Sequence, residues 1–302
     1  MATSSFDALD AFIKYLQGEK RYPDNTIIAY RFDLEEFAKH LREKEELGNP
    51  QLSEIATYMV RNWLASLKER GKSARSINRK ISSLKSFFKY HLRIGSIAKT
   101  PMSGVISPKV GKRLPQFVAQ PDMLVLLAET EFPATFKGQT DKLILSIFYQ
   151  TGMRLSELIN LQESQVNEAS NTLKVLGKGN KERIIPVHVT LMEAIRQYKD
   201  QKRVVLERPD TGVLLVNKKG QPFKPTEVYR IVNGWLKKVT TIDQKSPHIL
   251  RHTFATHLMN NGADLNAVKE LLGHASLAAT QVYTHNTIEK LKDIYKKAHP
   301  KA

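Results

Sequence analysis

The sequence predicts a mainly α-helical protein of two domains with one small antiparallel β-sheet, an α+β fold. The chain has 302 residues, a length that favours two domains over one. Apolar residues recur at helical spacing through residues 4–93 and again beyond about residue 118. In the second half, two short apolar runs flank Gly177-Lys-Gly-Asn-Lys, a pattern typical of a β-hairpin. Residues 1–98 and 118–302 are therefore the two predicted domains.

Four helices are predicted in the first domain. The first carries an apolar stripe, and Asp24 or Asn25 caps a second that runs to about residue 43. A third runs from about Ser53 to Arg70, and Ser73 opens a fourth. Two apolar faces with helical spacing support this assignment: Leu9, Phe12, Ile13 and Leu16, and then Ile77, Ile81, Leu84 and Phe88.

Basic residues follow the apolar pattern of the fourth helix. Its other face carries Arg75 and Arg79, which fits either a solvated surface or a face that contacts phosphate. Glycine and proline then punctuate residues 99–117, a pattern typical of an extended interdomain linker, with a disordered spacer as the alternative. Its basic residues are further candidates for DNA contact: Lys109, Lys112 and Arg113.

The second domain is predicted to be helical with a strand insert. An apolar helix from Thr140 to Gln150 ends at Gly152, and strands are expected at 172–176, 182–187 and 212–217. Helices are expected at about 190–206, 226–240, 247–261, 264–272 and 276–284. A last amphipathic helix can dock onto another protomer or pack on its own domain through Ile288, Leu291, Ile294 and Tyr295.

The overall charge of the chain indicates its class of partner. A net charge of +17 with a pI near 9.8 predicts a polyanion, most simply nucleic acid. The absence of cysteine excludes disulfides, Cys-ligated zinc and thiol nucleophiles. No apolar run reaches the ~18 residues of a membrane span, and the N-terminus lacks a signal-peptide pattern. We therefore expect a cytoplasmic protein with no membrane partner.

His248 and Arg251 are three residues apart in a helical stretch and share one face. Ser246 and Pro247 are favourable residues for the start of that helix, so the pair lies near a helix N-terminus. Free N–H groups and the positive dipole end attract phosphate there. An incidental basic pair on a DNA-facing helix is the alternative.

Two further candidates follow in the C-terminal region. Gly273 ends a helix and places His274 in a tight turn, where its ring can reach a phosphate oxygen or serve only the turn. Tyr283 lies nine residues later. A tyrosine hydroxyl, with a pKa near 10, is a poor nucleophile without a base or a strong positive field. The basic residues around it provide such a field.

Arg154 and Lys178 complete the set of candidates. Arg154 precedes Glu157, a carboxylate that can hold the guanidinium while its planar fork grips two phosphate oxygens. Lys178 lies between glycines at the tip of the predicted hairpin, close to DNA if DNA is the ligand. The hairpin lacks the spacing of a nucleotide-binding P-loop, and no pattern of metal ligands occurs, so neither a cofactor nor a metal is expected.

With these motifs the chain resembles the tyrosine recombinases of the phage-integrase type. The family's signature Arg…Lys…His-x-x-Arg…His/Trp…Tyr is matched without a gap by Arg154, Lys178, His248, Arg251, His274 and Tyr283. The similarity spans nearly the whole chain and is greatest to the Xer subgroup, with the XerC and XerD roles left open. It implies a helical SAM-like core-binding domain, followed by a catalytic domain with a C-terminal docking helix.

The resemblance also implies a mechanism. Tyr283 attacks a DNA phosphate, giving a 3′-phosphotyrosyl link and a free 5′-hydroxyl, and exchange proceeds through a Holliday junction. Arg154 and Arg251 stabilise the transition state, and His274 adds a hydrogen bond to the phosphate. Lys178 protonates the leaving oxygen, and His248 assists proton transfer at the tyrosine. Because the covalent link conserves the phosphodiester energy, neither ATP nor a metal is required.

The partners implied by the resemblance are a double-stranded DNA recombination site and a tetramer with itself or a paralogous recombinase. Chromosome-dimer resolution at cell division is the expected role, and dependence on a DNA translocase is left open. A mobile-element integrase shares the chemistry. Two other classes stay as alternatives, a type IB topoisomerase and a non-catalytic helix-turn-helix regulator built on residues 264–284.

Overall fold

A computed structural model describes residues 5–44, 50–111, 116–177, 182–206, 212–273 and 293–300. The chain divides into two compact units, residues 1–113 and 114–302. Helices dominate both units, and the second holds one small antiparallel sheet, which confirms the predicted fold class. Within these ranges no helix has the length and apolar character needed to cross a membrane.

Four helices form the first unit: α1 Ser5–Gly18, α2 Asp24–Lys44, α3 Thr57–Glu69 and α4 Ala74–Arg93, with a 3₁₀ turn at Leu52–Glu54. Both predicted apolar faces are buried, because they pack against each other around Trp63. Ser73 caps α4, and its hydroxyl accepts a hydrogen bond from the Ser76 N–H at 3.3 Å. Helix capping and helical periodicity therefore account for this unit.

A buried carboxylate ties α2 to α4. Asp33 is fully buried and accepts hydrogen bonds from Arg79 at 2.5 Å, Lys80 at 2.8 Å and the Ser83 hydroxyl at 2.8 Å. Lys80 also binds Glu36 at 2.5 Å, which satisfies its buried ammonium group. Arg79, a predicted DNA contact, is half exposed, and one terminal nitrogen of its guanidinium is held by this internal ion pair.

The first part of the predicted linker packs on the first unit. Ile97, Met102 and Val105 are buried in its core. The Arg61 guanidinium donates to the Gly104 carbonyl at 3.2 Å, and the Asn78 amide donates to the Pro108 carbonyl at 2.9 Å. Residues 97–108 are thus a fixed extension of this unit and not a disordered spacer, because apolar side chains anchor them.

In the described part of the second unit up to residue 273, seven helices follow one another along the chain. They are α5 Gln120–Leu124, α6 Phe136–Thr151, α7 Leu155–Ile159, α8 Val189–Val205, α9 Pro225–Val239, α10 Pro247–Asn260 and α11 Leu265–Leu272. A π-helical turn at Val125–Glu129 follows α5. The boundaries of α8 to α11 agree with the predicted ranges, and the predicted helix at 276–284 lies outside the described residues.

The sheet has the order β1-β2-β3, with β1 Val166–Asn167, β2 Thr172–Leu176 and β3 Glu182–Pro186, all antiparallel. The predicted hairpin is therefore present. The predicted strand at 212–217 is wrong, because its backbone bonds go elsewhere: the Leu214 N–H donates to the Leu161 carbonyl at 2.7 Å, and only single bridges form. The third strand comes from residues 166–167 instead.

Helix α6 lies at the centre of the second core. Its apolar side chains are buried against α8, α9 and α10. Residues 293–298 are helical and pack on this same unit, with Tyr295 and His299 buried and the two rings stacked 4.8 Å apart. In the predicted terminal helix, Ile294 and Tyr295 thus face their own domain, while Ile288 and Leu291 lie outside the described residues.

The first prediction concerns Gly152, the left-handed residue that ends α6 with φ +57°. A Cβ atom there would overlap the Phe254 ring and lie 2.9 Å from Leu272 Cδ2. We expect Gly152→Ala to lower the unfolding free energy by about 3 kcal/mol, the sum of left-handed strain and overpacking. Urea unfolding of the two proteins measures this difference.

Gly262→Ala is the matched control, because Gly262 also has a positive φ, +85°, but a Cβ there meets nothing within 4 Å. It should cost only the backbone term, about 1 kcal/mol. If the two variants lost the same unfolding free energy, the close packing of Gly152 against α10 and α11 would not contribute to stability.

Candidate active site

The site begins where α6 ends. Gly152 turns the chain, and Arg154 follows at the start of the short helix α7. The Arg154 side chain is about one-third exposed, and it donates to Glu157 Oε1 at 2.8 Å and to the Gly273 carbonyl at 3.2 Å. Arg154, one of the predicted catalytic residues, is thus held at the surface of the second unit with part of its guanidinium accessible.

Glu157 is shared by two arginines. Its buried carboxylate accepts hydrogen bonds from the Arg154 N–H, the Arg154 guanidinium and both terminal nitrogens of Arg183, at 2.7 to 3.0 Å. Burial raises the pKa of Glu157, but the hydrogen bonds and charge of Arg183, with the bonds from Arg154, outweigh it and lower the pKa to about 2. The carboxylate is therefore ionised in the folded protein at neutral pH.

Arg251 enters from α10. It is buried, and its guanidinium donates to the Gly152 carbonyl at 2.6 Å and to the Leu272 carbonyl at 2.7 Å. Burial, reinforced by the positive charges of Arg154 and Arg183, lowers its pKa to about 10. The group stays protonated at neutral pH while its orientation is fixed from two sides.

Three arginines converge on the C-terminal end of α11. Arg183 donates to the Leu271 carbonyl at 2.8 Å, Arg251 to Leu272 and Arg154 to Gly273. The last carbonyls of a helix lack partners within it and carry the negative end of its dipole, so guanidinium groups are favourable there. We call Arg154, Arg183, Arg251 and Glu157 the arginine cluster. Its three cations exceed its single anion, so it is a site for a negatively charged ligand.

The three histidines of α10 differ in how exposed they are. His248 is exposed on the first turn of α10, three residues before Arg251, and Ser246 caps that helix as predicted. His257 is buried and binds the Tyr149 hydroxyl at 3.0 Å, so it is a structural residue. Burial, followed by the charge of His248, lowers the pKa of His252. Of these histidines, His248 is exposed, His252 is partly exposed and His257 is buried.

Several predicted residues lie outside the described part of the chain: Lys178, His274, Tyr283, Lys112 and Arg113. The structure therefore brings Arg154 and Arg251 together, and it adds His248 one helical turn from Arg251. Arg75 and Lys109, the other predicted DNA contacts, are exposed on the first unit. Among the described residues no group of three or more His, Cys, Asp or Glu side chains could hold a metal ion.

The sequence prediction missed Arg183. It lies in β3 opposite Val175, on the inward face of the sheet, and is 3% exposed. The alternation of side chains along β3 indicates that Arg183 is buried, because it lies on the same face as the apolar Ile185. A buried arginine requires a buried partner, which points to a carboxylate such as Glu157.

The chemistry that this arrangement supports is stabilisation of an anion. Each guanidinium has five N–H donors in a planar fork. In the described ranges, two donor atoms of Arg251 and two of Arg154 are engaged by the protein, so further donors remain for a ligand. Fixed donors aimed at developing charge need no reorganisation during reaction. Phosphoryl transfer is a reaction that uses such a site.

Comparisons with known proteins agree with this chemistry. The model of the phage integrase family matches residues 119–290, and that of the phage integrase N-terminal SAM-like domain matches residues 9–95. The chain is 37% identical to tyrosine recombinase XerC of Chlorobaculum parvum, over 97% of this chain and 94% of the relative. It is also 37% identical to tyrosine recombinase XerD of Listeria innocua, over 98% and 99%.

Solved structures share the fold at low sequence identity. The XerH recombinase bound to its difH substrate superposes with a TM-score of 0.69 at 23% identity, covering 98% of this chain and 86% of that one. A lambda integrase tetramer bound to a Holliday junction gives 0.70 at 18% identity, covering 97% and 78%. These likenesses establish a common architecture.

The second prediction follows from Glu157, whose pKa in the folded protein lies well below its ordinary 4.5. The carboxylate therefore stabilises the fold above about pH 4.5, and this contribution disappears as the pH falls towards 2. Glu157→Gln should cost about 3 kcal/mol or more at pH 7, because it leaves Arg183 buried without a counter-ion. Urea unfolding at several pH values should show the difference between the two proteins shrinking below pH 4.5.

Glu168→Gln is the control for this experiment. Glu168 binds Lys199 at 2.8 Å on the surface, and such pairs contribute about 0–1 kcal/mol. If Glu157→Gln were as mild as Glu168→Gln, or if its effect did not depend on pH, the carboxylate would not hold the cluster together.

Proposed function

The chain belongs to the phage integrase family of tyrosine recombinases, and from that membership we propose that it resolves chromosome dimers by Xer-type site-specific recombination. The observation that carries the proposal is the arginine cluster, which presents Arg154 and Arg251 as fixed cations. Relatives named XerC and XerD match it over nearly their full lengths, which favours this role over a mobile-element integrase.

In the proposed reaction the Tyr283 hydroxyl attacks the scissile phosphorus. The phosphorus–O5′ bond breaks, and a 3′-phosphotyrosyl bond forms in its place. Lys178 donates a proton to the leaving 5′-oxygen, and His248 assists removal of the tyrosine proton. Attack by a partner strand's 5′-hydroxyl reverses these steps and releases the tyrosine. Each step breaks one phosphoester bond and forms another, so the exchange requires no external energy source.

The two arginines have separate roles in this reaction. Arg251 is locked between two carbonyls and provides a fixed positive field at the non-bridging oxygens. Arg154 is more exposed, and its fork is oriented by Glu157 for contact with the phosphate. His274 follows directly on Gly273, whose carbonyl Arg154 binds, and we assign it a further hydrogen bond to the phosphate.

Double-stranded DNA is the proposed substrate, bound by four protomers that are identical or paired with a paralogue. The net charge of +17 supports a polyanionic ligand. On the first unit we assign phosphate contacts to Arg75, Arg79 and Lys109, and in the linker to Lys112 and Arg113. The chain would act in the cytoplasm. A DNA translocase as activator is a separate hypothesis, which an assay with and without that translocase decides.

The third prediction tests the nucleophile. A nicked suicide duplex that carries the candidate chromosomal site, incubated with the protein in EDTA, should give a covalent adduct on a denaturing gel. Tyr283→Phe should abolish the adduct, because phenylalanine has no hydroxyl, and should leave DNA binding unchanged.

Tyr229→Phe is the matched control, since Tyr229 is half exposed on α9 and should keep the adduct. Tight specific binding without an adduct, on the nicked duplex and on a preformed Holliday junction with a paralogue present, would favour the binding-only regulator. An adduct that persists in Tyr283→Phe would assign the nucleophile to another residue.

The fourth prediction concerns the salt dependence of DNA binding. Neutralised phosphates release counterions, so the logarithm of the affinity should fall linearly with the logarithm of the salt concentration, by about 0.9 per contact. Arg75→Ala should reduce that slope by about one contact. Lys39→Ala, which removes an exposed α2 cation paired with Glu43, should leave it unchanged. A flat salt response in the parent protein would rule out the proposed phosphate contacts.

A further inference from the structure

A cavity of about 480 Å³ opens on the second unit, between the first turns of α6, the helix α9 and residues 216–223. Its floor is apolar: Val216, Phe223, Ile231 and Trp235. It lies at the opposite end of α6 from the arginine cluster. At 1.5 Å per residue, Lys137 and Gly152 are about 20 Å apart along that helix. The cavity is therefore separate from the proposed catalytic site.

The rim of the cavity carries a surplus of positive charge. Lys218, Arg230 and Lys238 line it, and none of the three has an ion-pair partner in the stretches that the structure describes. Lys238 Nζ lies 3.7 Å from the centroid of the Trp235 ring, a cation–π contact that leaves its charge uncompensated by an anion. A fourth cation, Lys137, is neutralised by Asp141 at 2.6 Å. The Glu227 carboxylate accepts a hydrogen bond from the Lys224 N–H at 2.7 Å and keeps its negative charge, so the four cations still exceed the two anions, Asp141 and Glu227. An occupant of this cavity should therefore be anionic.

Asp141 lies beside the cavity, and its buried carboxylate is held in place by the protein itself. Its side chain is 4% exposed, and Oδ2 accepts hydrogen bonds from Lys137 and from the Trp235 indole at 3.1 Å. Oδ1 is buried without a donor among the residues that the structure describes. Because Oδ1 is buried away from the cavity surface, Asp141 contributes negative charge to this region and no hydrogen bond to an occupant.

Gly234 lines the cavity. It lies in the interior of α9, where glycine costs about 1 kcal/mol relative to alanine. A Cβ at this position would meet nothing within 4 Å, so the residue borders open space. A larger side chain can be placed there without a clash at its base, and it would extend into the cavity. Gly234 is therefore the position at which the cavity can be filled experimentally.

We propose that this cavity binds an acidic peptide segment of a partner protein. One bulky apolar side chain of the peptide lies on the floor, and its carboxylates pair with Lys218, Arg230 and Lys238. A cationic rim around an apolar floor is complementary to an acidic segment with an apolar anchor.

Two other occupants fit less well. The C-terminal segment of a second copy is itself basic, with Lys296, Lys297 and Lys301, so the rim would repel it. Duplex DNA would satisfy the cations, but it would leave the apolar floor uncovered and bring phosphate towards Asp141. An acidic peptide with an apolar anchor matches both the cationic rim and the apolar floor of the cavity.

A differential peptide selection tests the proposal. A phage-displayed library of random dodecapeptides is selected on the full-length protein, with counter-selection on Gly234→Leu. We expect enriched peptides with Asp or Glu flanking one aromatic or large aliphatic residue. A synthetic fluorescent copy of the most enriched peptide should bind at least about tenfold more weakly to Gly234→Leu and to Arg230→Glu/Lys238→Glu.

Gly234→Ala and Lys237→Glu are the matched controls, because alanine does not fill the cavity and Lys237 is an exposed α9 cation outside its lining. Both should bind the peptide as the parent does. The proposal is overturned by the absence of cavity-dependent peptides or by enrichment of peptides without acidic residues. Equal weakening by Lys237→Glu, or equal competition by duplex DNA, would also overturn it. Gly234→Leu should still cleave the suicide substrate when no peptide is present. A loss of peptide binding is then distinguished from a loss of the proposed recombinase activity.

Discussion

The catalytic half of the molecule depends on one buried carboxylate. Glu157 accepts four hydrogen bonds from two arginines that come from different elements, the start of α7 and the strand β3. Three guanidinium groups packed together would repel each other strongly in a buried environment. One carboxylate and the carbonyls at the end of α11 offset that repulsion and leave the cluster positive. Without Glu157, Arg183 would be buried without a counter-ion beside Arg251.

The last turn of α6 connects this cluster to the C-terminal segment. The Gly152 carbonyl holds Arg251, and two residues later Arg154 reaches the Gly273 carbonyl. In the preceding turn the Tyr149 carbonyl binds His299 at 3.0 Å, and Gln150 accepts from the Tyr295 hydroxyl at 3.4 Å. The chain on both sides of residues 274–292 is thus fixed to the same helix end. Small shifts of that helix end would alter both attachments together.

Helix positions and the location of the apolar faces were predictable from the sequence because both are local properties. Ser73, Gly152, Ser246 and Gly273 end or begin helices where capping chemistry requires. The pairing of residues 212–217 was not predictable, because an apolar run does not specify its hydrogen-bond partners. The anchoring of residues 99–108 was equally hidden, since proline and glycine suggested an extended interdomain linker where Met102 and Val105 are buried in the first unit.

The active site, like the fold, was predictable from the sequence only in part. Arg154 and Arg251 were predicted from their motifs, but their geometry depends on contacts between distant residues, such as Arg154 with Gly273, 119 positions apart. Arg183 was missed because its role exists only once β3 lies against Glu157, 26 positions away. Spacing along the chain identifies residues with suitable chemistry. The partners that orient them become visible only in three dimensions.

The difference in exposure between Arg154 and Arg251 bears on how a phosphate would be held. Arg251 is buried, yet its pKa of about 10 keeps it charged at neutral pH, so its field acts through a medium that screens poorly. Arg154 is about one-third exposed and has one side open to solvent. A phosphate that binds therefore replaces water at the Arg154 guanidinium, while the Arg251 guanidinium stays in place throughout. Under the proposed mechanism, one arginine captures the substrate and the other supplies the preorganised field, because only the buried group needs no reorganisation when charge develops.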